Sequence, residues 1–140
     1  MKIINLMDDL NTRNGLLCEH GLCFYMESKD QKYLFDTGAS RQFLINAVQL
    51  NIDIADIDAL FISHNHYDHI GGLECFMEVN KKANIYIKSD AIYPTYSIKN
   101  NYKCHIGKFH HMLKNSDRVV FIKDSMQVDD IYLLSDTNGN

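Results

Sequence analysis

Three imidazoles and a carboxylate fall within six positions of this chain: His64, His66, Asp68 and His69 in the run Ser63-His64-Asn65-His66-Tyr67-Asp68-His69-Ile70-Gly71-Gly72. Neutral imidazole and carboxylate are the donors expected around Zn²⁺, with Fe or Mn taking over as oxygen ligands increase. An ion with an open coordination position lowers the pKa of its bound water to about 7, and two adjacent ions stabilise both the attacking and the leaving oxygen of a displacement. Hydrolysis is the chemistry this pattern suits. The competing reading is a crowd of surface or core histidines with no ion. Four donors at this density, followed by two glycines, favour one or two bound ions.

The spacing constrains the backbone that carries these groups. In extended chain, residues two apart point the same way, so His64 and His66 can face one point. Asp68 and His69 are adjacent and converge only if the chain turns; Gly71-Gly72 is expected to supply the permissive φ/ψ of a tight strand-to-helix turn. The segment Ile57 to Ile62 is too continuously apolar for a half-exposed strand and belongs in a sheet interior. It delivers the histidines to the sheet's carboxyl edge, where sites in open α/β layers form.

Along the chain, Lys2 to Met7 reads as a strand and Asp8 to Gly15 as a polar loop. Leu22 to Glu27 and Lys32 to Phe35 read as a hairpin. Ser40 can cap a helix running to Leu50, with Phe43, Leu44, Ala47 and Val48 near 3.6 periodicity. Gly72 to Asn80 is a second helix, whose amino end is expected to lie near the ions and favour an anionic group. Asn84 to Lys88, Arg118 to Ile122 and Ile131 to Leu134 are strands. Ala91 to Gly107 reads as a long loop over one side of the site, its tyrosines either lining a pocket or covering core edges. His105, His110 and His111 read as surface histidines, with one of them completing a coordination sphere as the lesser reading.

The spacing His-x-His-x-Asp-His ahead of Gly-Gly resembles the metallo-beta-lactamase superfamily, and Tyr33-Leu34-Phe35-Asp36-Thr37-Gly38 is similar to that family's strand-end Asp-Thr-Gly. With Glu19-His20-Gly21-Leu22, the chain most resembles the branch of metal-dependent hydrolases like dihydropterin-ribofuranosylaminobenzene-phosphate synthase. The resemblance implies that His64 and His66 bind a first metal, that Asp68 and His69 bind a second, and that Asp68 helps orient the attacking water. Asp36 then fixes the strand end and hydrogen-bonds beside the ligands. Glu19, His20 and Tyr67 are candidates for the substrate rim, with a solvated loop pair the competing reading of Glu19 and His20. The resemblance also implies an α/β fold (α+β by some schemes): half of an αββα sandwich, with a mixed, mostly antiparallel sheet and helices on one face. The family's further ligands arrive later in a longer chain, and none stands in its expected context up to Asn140. His66 occupies a position where related diiron oxidoreductases carry a carboxylate, which argues against a redox role.

Composition bounds the rest. At 140 residues and 46% hydrophobic, a single domain over 1–140 is expected, burying about two-thirds of its extended surface. With 14 basic and 18 acidic residues the net charge is −4, and no Lys/Arg cluster marks a groove for nucleic acid. No stretch reaches membrane-span length, and the amino terminus lacks a secretory pattern, so a cytoplasmic protein is expected. Cys18, Cys23, Cys75 and Cys104 form no C-x-x-C pair and read as reduced thiols; Cys18 or Cys104 as a soft ligand is the lesser reading.

Two functional expectations follow. One is a zinc-dependent hydrolase acting on an ester, amide or phosphoester of a small molecule, its remaining ligands supplied from elsewhere. The other is a non-catalytic metal-binding half-domain. Both leave one sheet face bare, so self-association or a partner chain is expected to cover it.

Overall fold

The computed structural model describes residues 1–10, 15–107 and 111–135, and of His111 and Met112 only the backbone. In chain order the strands are β1 (Lys2–Met7), β2 (Cys23–Ser28), β3 (Gln31–Phe35), β4 (Ala59–Ile62), β5 (Asn84–Lys88), β6 (Tyr96–Lys99), β7 (Tyr102–His105), β8 (Val119–Ile122), β9 (Met126–Val128) and β10 (Ile131–Leu133). The helices are α1 (Gln42–Gln49), the single turn α2 (Tyr67–Ile70), α3 (Leu73–Val79) and α4 (His111–Asn115).

β1, β2 and β3 form an antiparallel meander, and β3, β4, β5 and β8 continue it in parallel, giving one sheet in the order β1-β2-β3-β4-β5-β8. Lys29 and Asp30, both at positive φ, make the two-residue turn between β2 and β3 that suits the right-handed strand twist. With two separate hairpins included, four of the seven strand pairings among the described residues are antiparallel. β4, flanked on both sides by parallel strands, is buried at all four positions, which its unbroken apolar sequence requires.

Helices cover one face. Phe43 and Ala47 of α1 and Leu73 and Phe76 of α3 pack with Leu34, Leu60, Ile85 and Ile87 of the sheet in the main core. Ser40 Oγ accepts from the Gln42 amide at the entry to α1. Asn80, fully buried, donates to the carbonyls of Ile54, Ala55 and Ile57 and accepts from the amides of Lys82 and Ala83, pinning the loop ahead of β4 to the end of α3.

The second face is not bare. The β9–β10 hairpin lies on it, so Tyr33, Ala59 and Phe61 are buried beneath Val128, Ile131 and Leu133. Asp130 at the hairpin turn takes hydrogen bonds from Ser28 Oγ and from Tyr33 Oη. These bonds to Asp130 fasten the hairpin to β2 and β3. Ala91 to Gly107 also differs from the expected loop, because β6 and β7 pair as an antiparallel hairpin through Asn100 and Asn101, both at positive φ. No helix among the described residues is long and apolar enough to cross a membrane.

Candidate functional site

The site is assembled where β3 and β4 end side by side. Asp36 follows β3 at φ +58 and is fully buried; its amide donates to Phe61 O, which holds the unusual backbone in place. Its carboxylate accepts from the Ser63 amide at 2.8 Å, from Ser63 Oγ at 2.7 Å and from His69 Nδ1 at 2.7 Å. Burial pushes the Asp36 pKa up, and the Ser63 and His69 donors oppose that shift. Asp36 thus bridges the strand end to the turn that carries the remaining donors.

That turn is α2, and its geometry is set by backbone contacts. The carbonyl of His69 accepts from the Thr37 amide and Oγ1, and the carbonyl of Asp68 accepts from the Leu22 amide. Gly71 and Gly72 have ordinary negative φ values of −61 and −86°, so the turn does not use their conformational freedom. They are needed for space, since a Cβ on Gly71 would stand 2.1 Å from Ala39 O. At the amino end of α3 the Gly72 amide donates to Gly38 O.

Three imidazoles pack together above this base. The His64 ring centroid lies 4.3 Å from that of His66 and 4.1 Å from that of His69. His64 Nδ1 is 2.8 Å from Ser63 Oγ. Burial, then the neighbouring charges of His69 and His66, lowers the His64 pKa to about 4, so the ring is neutral near pH 7 and keeps a lone pair for coordination. His69 Nε2 lies 3.4 Å from Asp68 Oδ2.

The rim candidates separate. His20 Nε2 stands 3.5 Å from Asp68 Oδ2, while its Nδ1 lies 3.1 and 3.2 Å from the two oxygens of Asp9. The hydrogen bond that His20 donates to Asp9 raises the His20 pKa, and the same bond lowers that of Asp9. Tyr67 is half exposed with its ring 6.2 Å from that of His20, so it stays at the rim. Glu19 does not face the site: its carboxylate accepts from the amides of Ala39 and Ser40, from Ser40 Oγ and from Gln42 Nε2 at the entry to α1.

Asn65 is a residue that sequence reasoning missed. Buried between the two histidines, it donates to the carbonyls of Ala91 and Tyr93 and accepts from Thr95 Oγ1. With the His66–Gly107 bridge and the Tyr67 amide on Ile106 O, it ties the base of the β6–β7 hairpin to the motif. His64, His66, Tyr93, Pro94 and Thr95 line a shallow pocket beside the imidazoles. His105 packs on Tyr96 in the hairpin. His110 and the side chain of His111 lie outside the described residues. The four cysteines are free thiols, and burial pushes that of Cys23 well up.

Among the described residues no three His, Cys, Asp or Glu side chains close into a metal-holding arrangement. The imidazoles instead pack ring against ring. A divalent cation still fits this donor set on two observations. His69 has its Nδ1 held by a carboxylate, as metal-bound histidines do, which leaves Nε2 for an ion. His64 is held neutral.

A family model describing the metallo-beta-lactamase superfamily matches residues 17–131. The 7,8-dihydropterin-6-methyl-4-(beta-D-ribofuranosyl)-aminobenzene-5'-phosphate synthase of Methanocaldococcus jannaschii is 38% identical over 93 residues, which is 61% of this chain and 32% of that protein. An exodeoxyribonuclease WalJ of Streptococcus pneumoniae is 37% identical over 54 residues, 38% of this chain and 20% of that one. Among solved structures, Tm1679, described as a metal-dependent hydrolase of the beta-lactamase superfamily, superposes with a TM-score of 0.70 at 30% identity, covering 91% of this chain and 44% of its own. MEM-A1, a subclass B3 metallo-beta-lactamase from a soil metagenome library, superposes with a TM-score of 0.54 at 16% identity over 81% of this chain and 45% of its own, and so shows the fold alone. The chain spans less than half the length of these relatives.

Proposed function

This chain belongs to the metallo-beta-lactamase superfamily, and we propose that it forms the metal-binding half of a hydrolytic centre acting on an ester, amide or phosphoester of a small molecule. His64 and His66 hold one divalent ion, zinc by the chemistry of the donors, and Asp68 and His69 hold a second. When bound, such ions polarise a substrate oxygen and bring the pKa of water near neutrality. Asp36 holds the His69 ring from behind, Asp68 orients the attacking water, and Tyr67 and Tyr93 border the entrance.

The observation that carries this reading is the packing of His64, His66 and His69 at centroid distances of 4.1 and 4.3 Å above a buried carboxylate that bonds one of them. The phosphorylated pterin compound in the name of the Methanocaldococcus relative supports a phosphorylated or heterocyclic substrate. A partner chain or a longer polypeptide would supply further donors and would also shelter Tyr132 and Leu134, both exposed on the hairpin side of the sheet.

The test is metal content after dialysis against zinc, together with turnover of an aryl phosphoester and a lactone, for the native chain and for His64→Ala and Asp68→Ala. Close to two ions per chain and turnover that both substitutions abolish support the enzyme. The second reading is a non-catalytic metal-binding half-domain. At most one weakly held ion with no turnover would establish that one.

A further inference from the structure

Two imidazoles approach a single carboxylate oxygen. His69 Nε2 and His20 Nε2 lie 3.4 and 3.5 Å from Asp68 Oδ2. Both separations exceed the length of an N–H···O hydrogen bond, about 2.7–3.2 Å. They match instead the edge of a tetrahedron whose corners lie roughly 2.0–2.2 Å from a zinc ion, an edge of roughly 3.3–3.6 Å.

Each ring is also held from behind by its own carboxylate. Asp36 Oδ2 holds His69 Nδ1 at 2.7 Å, and Asp9 holds His20 Nδ1 at 3.1 and 3.2 Å. A carboxylate on the far nitrogen fixes the tautomer and orientation of a metal-bound histidine and makes it a stronger ligand. The placement of His20 is built in by backbone. Asp9 Oδ1 accepts from the Gly21 amide at 3.1 Å, and Gly21 sits so close to α2 that a Cβ there would stand 2.7 Å from Asp68 O. The loop carrying His20 is therefore fitted against the turn that carries Asp68 and His69.

We propose that His20 is a third protein donor, with Asp68 and His69, to the second ion of the site, and that Asp9 is the residue that positions it. The proposal rests on the metal-centre reading above and assigns it a ligand from the amino-terminal loop. Among the described residues the three donors do not yet close on one point. The His20 side chain is 65% exposed, which leaves its ring room to follow an ion.

Cobalt(II) substitution tests it without recourse to activity. The full chain, His20→Ala, His20→Cys, Asp9→Asn and His64→Ala are titrated with cobalt(II) and followed by visible absorption, with circular dichroism melts to establish that each is folded. Loss of the second-ion absorption bands and at least about tenfold weaker binding are expected for His20→Ala, with a smaller loss for Asp9→Asn. His20→Cys is expected to add a thiolate-to-cobalt charge-transfer band absent from the native chain, a signature that a purely structural role for His20 cannot produce. Unchanged affinity and spectrum in His20→Ala, together with no charge-transfer band in His20→Cys, would overturn the assignment and leave the metal centre standing. Failure of the native chain to bind cobalt at all would overturn the metal centre itself.

Discussion

The Asp36 carboxylate and the His69 imidazole meet at 2.7 Å, joining the end of β3 to the one-turn helix α2. Because Asp36 also takes both Ser63 donors, a single buried side chain sets the strand end, the turn and the tautomer of a candidate ligand.

Asp36→Asn keeps the side-chain volume, and asparagine tolerates the positive φ of this position. It loses a charge-assisted acceptor and leaves one buried polar pair mismatched. A destabilisation of about 1–3 kcal/mol in urea denaturation is expected, with cobalt affinity about 10–100-fold weaker. Asp36→Leu is expected to lose more, because a γ-branched residue at positive φ adds strain to three orphaned donors. Equal stability of all three chains would show that the Asp36 bonds do not hold the site.

Gly71→Ala tests space rather than conformation. Its φ of −61° suits alanine, and a rule based on helix propensity predicts stabilisation. The added Cβ would lie 2.1 Å from Ala39 O and 2.4 Å from Tyr67 O, both backbone atoms that cannot rotate away. Loss of about 3 kcal/mol or more is expected by thermal or urea melting. A neutral or stabilising result would mean that the end of α2 is not wedged against Ala39.

How much of this was legible in the sequence follows from the range of each interaction. β4 and the donors behind it could be read because a continuous apolar run and a dense polar motif are local signals. Gly71 and Gly72 were legible as necessary but misread in cause, since the contacts of Gly71 with Ala39 and of Gly72 with Thr37 and Ser40 are made by chain over thirty residues away. Asp9 gave no local signal: its partner His20 is eleven positions on, across a loop. The β6–β7 hairpin was hidden by its exposed, polar alternation, although Asn100-Asn101 is a recognisable two-residue turn. The covering of the second sheet face depends on Asp130 reaching Ser28 and Tyr33 about a hundred residues away, which no periodicity reveals.

Asn65→Ala separates the hairpin from the core. The substitution removes two hydrogen bonds to the carbonyls of Ala91 and Tyr93 and one from Thr95 Oγ1. A loss of about 1–3 kcal/mol is expected. Amide exchange should quicken across residues 93–107 while that of β4 keeps its protection. Uniform acceleration over the whole chain would show that Asn65 supports the core rather than the segment beside the imidazoles.

Alkaline pH should unfold the chain through its buried phenols. Tyr25 donates to Glu27 Oε2 at 3.0 Å, and burial, then that bond, pushes its pKa up to about 12. Tyr33 is also pushed up, by burial and by its bond to Asp130. The unfolded chain releases these protons near pH 10, whereas the folded chain keeps them. A raised folded pKa means that the stabilisation is complete below about pH 10 and is lost as pH rises through about 12. Urea melts at pH 8, 9.5 and 11 should therefore show stability falling above pH 10, and Tyr25→Phe, which has no proton to lose, should fall less between pH 8 and 11. An identical fall in the native and Tyr25→Phe chains would remove Tyr25 from the alkaline transition and leave Tyr33, tested in the same way by Tyr33→Phe, as its source.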